Sequence, residues 1–306
     1  MCFEVKNLHR RLLKQHSVRL GILTFLLCFP LILPPPVAGE EKAIRIAITP
    51  CTDIMKTFKI FQPLARYLQD KINRPVQLII PKSFHEFETF VKSNKVDFAY
   101  QAPHTYVRLA NFYNKEALLK SLTPEGETKH RGVMIVRKDS PIKTLTDLKG
   151  KVVLFGSELS TAKSIATKIL LKENGVDIDR DLKNYTHDGS CESIALNVYL
   201  KSVDAGAICD YSFEEINEAE DQAVAGIPAD QFRILSETME VPTWVFSALK
   251  RMDSAVVTKV LNALQELDRE KEQFEHILEE AEIGGFVPAK DSDYKTIREL
   301  AGVSHL

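Results

Sequence analysis

Hydroxyl side chains stand at the start of a predicted amphipathic helix in this sequence. Ser160 and Thr161 precede a run with apolar residues at spacings of three and four, and Gly175 is a good C-terminal stop. Ser160 is a suitable N-cap, and by itself this pattern indicates no more than a capped helix. The hydroxyls and the first helix amides could also hold an oxyanion, favoured by the helix dipole.

A thiol stands at a second predicted helix start. Ser190 can cap the segment that follows it, which places Cys191 in the first turn. Because a helix N-terminus lowers the pKa of a thiol, Cys191 is a candidate thiolate; the alternative is a small, half-buried packing residue. The adjacent Glu192 would repel a bare anion, and it suits a ligand that carries a proton or an amine.

Aromatic and polar side chains cluster around a predicted strand-to-helix turn, at Tyr100, Gln101, His104 and Tyr106. This combination makes a good pocket wall, although Tyr106 could be a core residue and His104 could simply start the helix. Cys51 and Thr52 follow the first predicted strand and are further candidates. For Cys51 the alternative is a loop thiol on the surface.

No combination of residues gives good support for catalysis. The sequence has no GxSxG and no HExxH motif. The residue types of a catalytic triad are present in Asp53, His104 and Ser160. However, any chain of this length contains such a set, so their presence does not indicate catalysis. The sequence also has no CxxC motif and no spacing typical of a structural zinc site. We therefore expect no catalytic residue, no metal and no cofactor.

Residues 1–38 have the pattern of a secretory signal peptide: a basic segment, a short apolar run and a plausible cleavage site after Ala38. The apolar run is short for a membrane span, which needs ~20 residues, and no later segment is apolar enough. The pattern therefore predicts export and argues against an integral membrane protein.

The charge and the cysteines of the remaining chain narrow the class of partner. Residues 1–38 contain five basic residues and one acidic residue, so 35 basic and 41 acidic residues remain and the net charge is near −6. This argues against nucleic acid, although helix amides can still bind a small anion. Cys51, Cys191 and Cys209 remain, and an odd number leaves at least one free or intermolecular thiol in an exported protein.

Two series of alternating strands and helices could position the candidate residues. The first series has predicted strands at 43–49, 75–80 and 96–101, and the second has them at 131–141, 152–155 and 203–209. This order implies an α/β protein of two lobes with largely parallel sheets. Extended segments near 131–137 and 236–246 are the natural crossovers between the lobes.

Ligands of open α/β sheets bind beyond the carboxyl ends of the strands, where loops lead into helices. This rule selects four loops: 49–53, 100–104, 156–161 and 187–192. All the candidate hydroxyl, thiol and aromatic residues except Tyr106 lie in these loops or directly beside them.

In matching order and spacing, the chain contains KIFQPLARYLQDKINRPVQLI, VDFAYQAPHTYVRLA, VRKDSPIKTLTDLKGKVVLFGSELSTA, GSCESIALNVYLKSVDAGAI and GFVPAKDSDYKTIREL. Together these stretches resemble the phosphate-, phosphite- and phosphonate-binding (PhnD-like) periplasmic proteins. The resemblance covers nearly the whole mature chain, and DSPIKTLTDLKGK is quite specific to this group and its relatives.

The resemblance implies a two-lobed periplasmic-binding-protein fold of type II, with mixed, mostly parallel sheets and a hinge of two crossover strands. The expected lobes are 39–134 with 240–306, and 135–239. It also implies a periplasmic protein that closes over a small phosphate- or phosphonate-like oxyanion and delivers it to an ABC permease. The alternative is a sensor of arsenite or another oxyanion that uses cleft cysteines and signals to a sensor histidine kinase. The expected ligand-binding residues are Ser160, Thr161, Tyr100, Gln101, His104, Cys51, Thr52, Cys191 and Glu192.

The chain departs from the family pattern at several polar positions. The family's phosphonate loop reads Ser-Thr-Ser-Gly, and here it reads Ser160-Thr161-Ala162-Lys163. Cys191 stands where the family has His, His130-Arg131-Gly132 replaces a Tyr-x-Ser, and Gln101-Ala102 replaces a tyrosine or glycine. In this fold Cys51 and Cys191 would face the cleft from opposite lobes. If they approach each other, they could form a disulfide or bind a thiophilic species.

Overall fold

In a computed structural model of the protein, the structure describes residues 42–50, 53–218 and 226–302. They belong to one compact unit, Glu41–Leu306. The expected signal peptide and the candidates Cys51 and Thr52 lie outside the described residues. Among the described helices, none has the length and apolar character needed to cross a membrane.

The strands are β1 (Ile44–Ile48), β2 (Val76–Ile79), β3 (Phe98–Gln101), β4 (Tyr113–Leu122), β5 (Lys129–His130), β6 (Gly132–Arg137), β7 (Val152–Phe155), β8 (Asn184–His187), β9 (Ala205–Cys209), β10 (Phe232–Glu237), β11 (Val241–Pro242), β12 (Val245–Leu249) and β13 (Gly285–Ala289). The helices are α1 (Ile54–Ile72), α2 (Phe84–Lys92), α3 (Pro103–Leu109), α4 (Thr167–Glu173), α5 (Ile178–Asp181), α6 (Cys191–Tyr199), α7 (Asp210–Glu218), α8 (Ser254–Gln265), α9 (Glu272–Glu280) and α10 (Lys295–Leu300).

The strands form two main sheets, each with its own lobe. The order is β13-β4-β12-β3-β1-β2 in the first lobe and β10-β6-β9-β7-β8 in the second. Strand β1 is parallel to β2 and β3, and β7 is parallel to β8 and β9. The other pairs are antiparallel. In both sheets the parallel strands therefore end at a common edge, from which loops lead into helices.

The chain passes between the two sheets twice. It leaves the first sheet after β4 and reaches β6 through β5, and it returns from β10 to β12 through β11. Strands β5 and β11 pair with each other, with Val241 opposite His130. This two-stranded link is what a hinge of two crossover strands requires. The residue limits of the two lobes stay a prediction.

Sequence patterns predict neither β4 nor β13. Strand β4 contains good helix formers but lies between β12 and β13, so sheet pairing overrides its local preference. Strand β13 contains Pro288 and lies at the edge of its sheet, where a missing donor is tolerated. Because both strands add antiparallel pairs, the first sheet is less parallel than the sequence pattern indicates.

Apolar clusters on both faces of each sheet form the cores.

A buried carboxylate, that of Asp97, connects the first sheet to the turn after β12 through ion pairs with two arginines. Asp97 precedes β3, and its carboxylate accepts hydrogen bonds from the Arg45 backbone amide (2.8 Å) and side chain (3.0 Å). Arg251 reaches the same carboxylate from the turn. Burial opposes ionisation of Asp97, but the hydrogen bonds from the two arginines outweigh it and lower its pKa.

Candidate functional site

A cleft of about 180 Å³ lies between the loops of the two lobes. The first lobe lines it with the ends of β1 and β3, the first turns of α1 and residues after α9. The second lobe lines it with the loops after β7, β8 and β9. These loops adjoin because β8 and β9 both pair with β7 in parallel, which places their carboxyl ends together.

The loop after β7 brings a hydroxyl and an ammonium group into the cleft. Ser160 is the N-cap, as predicted: its hydroxyl accepts a hydrogen bond from the Lys163 backbone amide at 3.3 Å. The first turns are a π-helix, Thr161–Ala166, that continues as α4. The Lys163 side chain lines the cleft, and its Nζ donates to the Gly189 carbonyl oxygen at 2.7 Å.

Gly156 allows this helix start to lie directly against the end of β7. A Cβ atom at residue 156 would be 2.3 Å from Lys163 Cβ, far inside van der Waals contact. The Gly156 amide donates to the Lys163 carbonyl oxygen at 3.0 Å. The glycine therefore fixes the position of the turn that holds both Ser160 and Lys163.

The loop after β8 contributes a carboxylate. Ser190 is the N-cap of α6, as predicted, and its hydroxyl accepts from the Ser193 amide at 3.2 Å and donates to Glu192. Both Ser190 and Glu192 line the cleft. A second carboxylate, that of Glu282, lines it from the other lobe. Partial desolvation in the cleft, with the negative charge of Glu192, raises the pKa of Glu282.

Two thiols meet at the floor of the cleft. The Cys209 backbone amide donates to Cys191 Sγ at 3.4 Å, and Lys163 Nζ lies 3.6 Å from the same sulfur. The Cys191 thiol donates a hydrogen bond to Cys209, which, with burial, raises the pKa of Cys191. The same hydrogen bond lowers the pKa of Cys209. Its thiol partner and burial thus act on Cys191 in the direction opposite to a helix N-terminus, which favours the alternative of a packing residue over a thiolate.

An aromatic wall covers the side of the cleft that belongs to the first lobe. The Tyr100 ring lies 5.1 Å from the ring of Trp244 and 5.6 Å from that of Phe61. All three residues line the cavity. Trp244 is the one tryptophan of the chain, so its fluorescence reports on this site alone.

A neutral histidine stands between the two lobes. His130, in the hinge strand β5, lines the cleft, and its ring lies 5.8 Å from that of Tyr211. Burial lowers its pKa. Its Nδ1 has no hydrogen-bond partner within the described part of the chain. This nitrogen is therefore a buried polar atom whose hydrogen-bonding capacity is unused among the described residues.

Four of the predicted site residues line the cleft together: Ser160, Tyr100, Cys191 and Glu192. Three others lie outside its lining. Thr161 is buried and accepts a hydrogen bond from the His104 amide at 3.1 Å. Gln101 is fully buried, where its amide accepts from Tyr113 Oη at 2.9 Å. The structure thus gives Thr161, His104 and Gln101 packing partners instead of a place on the cavity wall.

Several cleft residues were not identified from the sequence. Sequence comparison noted Lys163 only as the loss of a glycine, although it lies one helical turn after Ser160. Cys209 ends a strand, so the rule that selected the other loops could have selected it too. Trp244 and Glu282 had no local signal, because only the lobe arrangement brings them to the cleft.

Two sheets joined by paired crossover strands, with a cleft between their loops, define a periplasmic binding protein of type II. The sequence profile of the periplasmic substrate-binding proteins of phosphonate ABC transporters matches residues 46–294, so this chain belongs to that family. The family consists of substrate-binding proteins and is periplasmic.

Solved structures with the same fold are similar over most of their length. The binding protein component of a phosphonate ABC transporter from Pseudomonas aeruginosa has a TM-score of 0.71 and 17% identity, over 84% of this chain and 85% of that one. PhnD1 from Prochlorococcus marinus, in complex with methylphosphonate, has a TM-score of 0.71 and 18% identity, over 86% and 98%. A Xanthomonas citri protein bound to chloride ion has a TM-score of 0.68 and 18% identity, over 85% and 96%.

Proposed function

We propose that this chain binds a small phosphonate- or phosphate-like oxyanion in the cleft and delivers it to an ABC permease. The observation that supports this most directly is Lys163: its side chain lines the cleft together with Ser160, at the start of a helix. The first amides of a helix have no intrahelical acceptor, and the helix dipole favours negative charge there. A cation, a hydroxyl and helix amides together suit an oxyanion.

The size and the walls of the cleft favour a small ligand with an apolar part. Its volume of about 180 Å³ is below the roughly 300–1,000 Å³ typical of pockets for drug-sized ligands. Tyr100 and Trp244 give it an aromatic wall opposite the polar loops. A phosphonate likewise has an apolar and a polar part: its carbon substituent can contact the rings while its oxygens contact Lys163 and Ser160.

The two carboxylates favour a ligand that is not a bare multiple anion. Glu192 and Glu282 both line the cleft, and their mutual repulsion contributes to the raised pKa of Glu282. A monoprotonated oxyanion can donate a hydrogen bond to a carboxylate, and an ammonium substituent can pair with one. We therefore rank aminoalkylphosphonates and monoprotonated phosphonates above sulfate, which carries no proton near neutral pH.

Trp244 fluorescence and thermal unfolding test the proposal on the purified protein. The ligands are phosphate, phosphite, methylphosphonate, 2-aminoethylphosphonate, arsenate and sulfate. At 100 times the dissociation constant, a true ligand should stabilise the fold by ~2.7 kcal/mol, which is readily measured. We expect at least one phosphonate or phosphite to bind more tightly than sulfate. No change in fluorescence or unfolding temperature with any of the six, at millimolar concentration, would reject the proposal.

The delivery step needs a separate experiment in cells. Deleting the gene for this chain should abolish high-affinity uptake of the ligand found in vitro, and restoring the chain should return it. Normal uptake in the deletion strain would contradict the role in transport. The sensing alternative rested on a pair formed by Cys51 and Cys191, whereas the described contacts give Cys191 a partner in its own lobe, Cys209. No contact among the described residues favours sensing over transport.

A further inference from the structure

The thiol pair in the cleft has a use that oxyanion binding does not require. Cys191 and Cys209 are both free thiols, 8% and 4% exposed, and both line the cavity. Their thiols are hydrogen-bonded to each other. Cys191 Sγ lies 3.4 Å from the Cys209 backbone nitrogen, so the two thiols are close neighbours at the wall of the cleft.

The fold holds this pair rigidly. Cys191 is the first residue of α6 and Cys209 the last of β9, and the helix packs against the strand in the opposite direction. Ile194, three residues after Cys191 in the helix, packs against Gly206, three residues before Cys209 in the strand. A Cβ atom at Gly206 would lie 2.5 Å from Ile194 Cγ2, so only glycine allows this close approach. The same packing places one thiol beside the other.

We propose that Cys191 and Cys209 form a reversible disulfide in the cleft, and that this reaction changes the charge that Lys163 presents to an oxyanion. The effect on oxyanion binding rests on the proposed function, whereas formation of the disulfide does not. The reaction takes an external low-molecular-weight disulfide as its oxidant. In sum, two thiols and one external disulfide give the internal disulfide and two external thiols.

The surroundings assign a role to each sulfur. Cys209 accepts hydrogen bonds from the Cys191 thiol and from the Tyr211 hydroxyl, and Lys163 adds positive charge, which together favour its thiolate despite burial and Asp210. The Cys209 thiolate attacks one sulfur of the external disulfide and expels the other as a thiolate, which takes up a proton. Cys191 then loses its proton, attacks Cys209 Sγ in the mixed disulfide and expels the second external thiol.

The reaction changes the electrostatics of the oxyanion site. When Cys209 is ionised, its negative charge offsets part of the positive charge of Lys163, whose Nζ lies 3.6 Å from Cys191 Sγ. A disulfide carries no charge, so oxidation removes this competitor for Lys163. Removing one elementary charge near Lys163 corresponds to about tenfold tighter binding of an oxyanion by the oxidised protein.

The disulfide is tested on the purified protein without any ligand. The protein is incubated with 2-hydroxyethyl disulfide, alkylated, digested without reduction and analysed by mass spectrometry. We expect a linked peptide pair that contains Cys191 and Cys209, and its loss after dithiothreitol treatment. Cys51→Ser should keep the linkage, and Cys209→Ser should lose it. Absence of the linked pair in the wild-type chain, or a pair with Cys51 instead, would overturn the proposal.

The charge effect is tested by titrating reduced and oxidised protein with methylphosphonate and inorganic phosphate, followed by Trp244 fluorescence. We expect about tenfold tighter binding after oxidation, and no redox effect in Cys209→Ser. Equal affinities in both states of the wild-type chain would overturn the charge effect. If neither ligand binds in either state and the wider ligand panel also fails, the proposed function fails, while the peptide map still decides the disulfide.

Discussion

Replacing Lys163 by methionine should weaken oxyanion binding without unfolding the site. The substitution removes the ammonium group that lies in the cleft and donates to the Gly189 carbonyl oxygen at 2.7 Å. Methionine keeps an unbranched apolar stem, which preserves the contact of this side chain with Gly156. The change therefore tests the charge more than the packing.

The expected loss follows from one charged hydrogen bond. Such a bond contributes about 1.5–3 kcal/mol, and at ~1.4 kcal/mol per factor of ten this is a roughly 10- to 150-fold weaker affinity. A bare Coulomb energy, about 4 kcal/mol at 4 Å with an effective dielectric constant of 20, gives the upper limit. The bond to Gly189 also involves the charged group, so its loss should lower the free energy of unfolding by about 1.5–3 kcal/mol at most.

The assay is a Trp244 fluorescence titration with the tightest ligand from the panel, and Lys168→Met is the matched control. Lys168 lies on the same helix, in α4, and its Nζ is 3.0 Å from His187 Nε2, outside the lining of the cleft. The control removes the same charge from the protein, so it should keep its affinity within about twofold.

Two results would refute the reasoning. If Lys163→Met binds within about threefold of wild type, Lys163 does not contact the oxyanion. If Lys168→Met weakens binding as much as Lys163→Met, the effect comes from overall charge and not from a specific contact. Chemical unfolding of both variants shows whether either has lost its fold.

Three further predictions concern stability and are all measured by urea unfolding. Asp97→Ala should cost about 3 kcal/mol, the low end for a broken buried ion pair, because Arg45 and Arg251 are partly exposed; a loss below 1 kcal/mol would contradict this. The pKa of Asp97 is lowered by folding, so its contribution is present above the ordinary value of 3.8 and is lost as the pH falls through the lower folded value. The wild-type protein should therefore lose more stability than Asp97→Ala in that acid range, and parallel losses would contradict the assignment. Gly206→Ala should cost about 1–3 kcal/mol, since its methyl group would overlap Ile194; an unchanged midpoint would show that the packing can relax.

Much of the fold could be predicted from local sequence patterns, because its strands and helices follow their own periodicity and caps. The strands at β1, β3, β7 and β9 alternate or are uniformly apolar, and Ser160 and Ser190 both cap helices as expected. Strand β4 could not be predicted. Its residues have no strong strand preference, and it is a strand because β12 and β13 flank it.

The sequence indicated which loops line the cleft, but not which of their residues face it. The rule that ligands bind where parallel strands end selected loops that do line the cleft. However, Thr161 stands next to Ser160 in the chain, yet it faces the His104 amide while Ser160 faces the cavity. Neighbouring residues on a helix start point in different directions, so the sequence alone does not tell which hydroxyl meets a ligand.

By itself, the sequence determined the fold family, an α/β protein of two lobes, and several of the loops that line the cleft. It could do so because strand and helix periodicity and family motifs are local properties of the chain. Only the tertiary structure decided that Cys191 has Cys209 as its partner. It also decided that the Lys163 side chain lines the cleft and contacts Cys191. Those contacts depend on the packing of α6 on β9 and of a helix start on Gly156, which join residues far apart in the sequence.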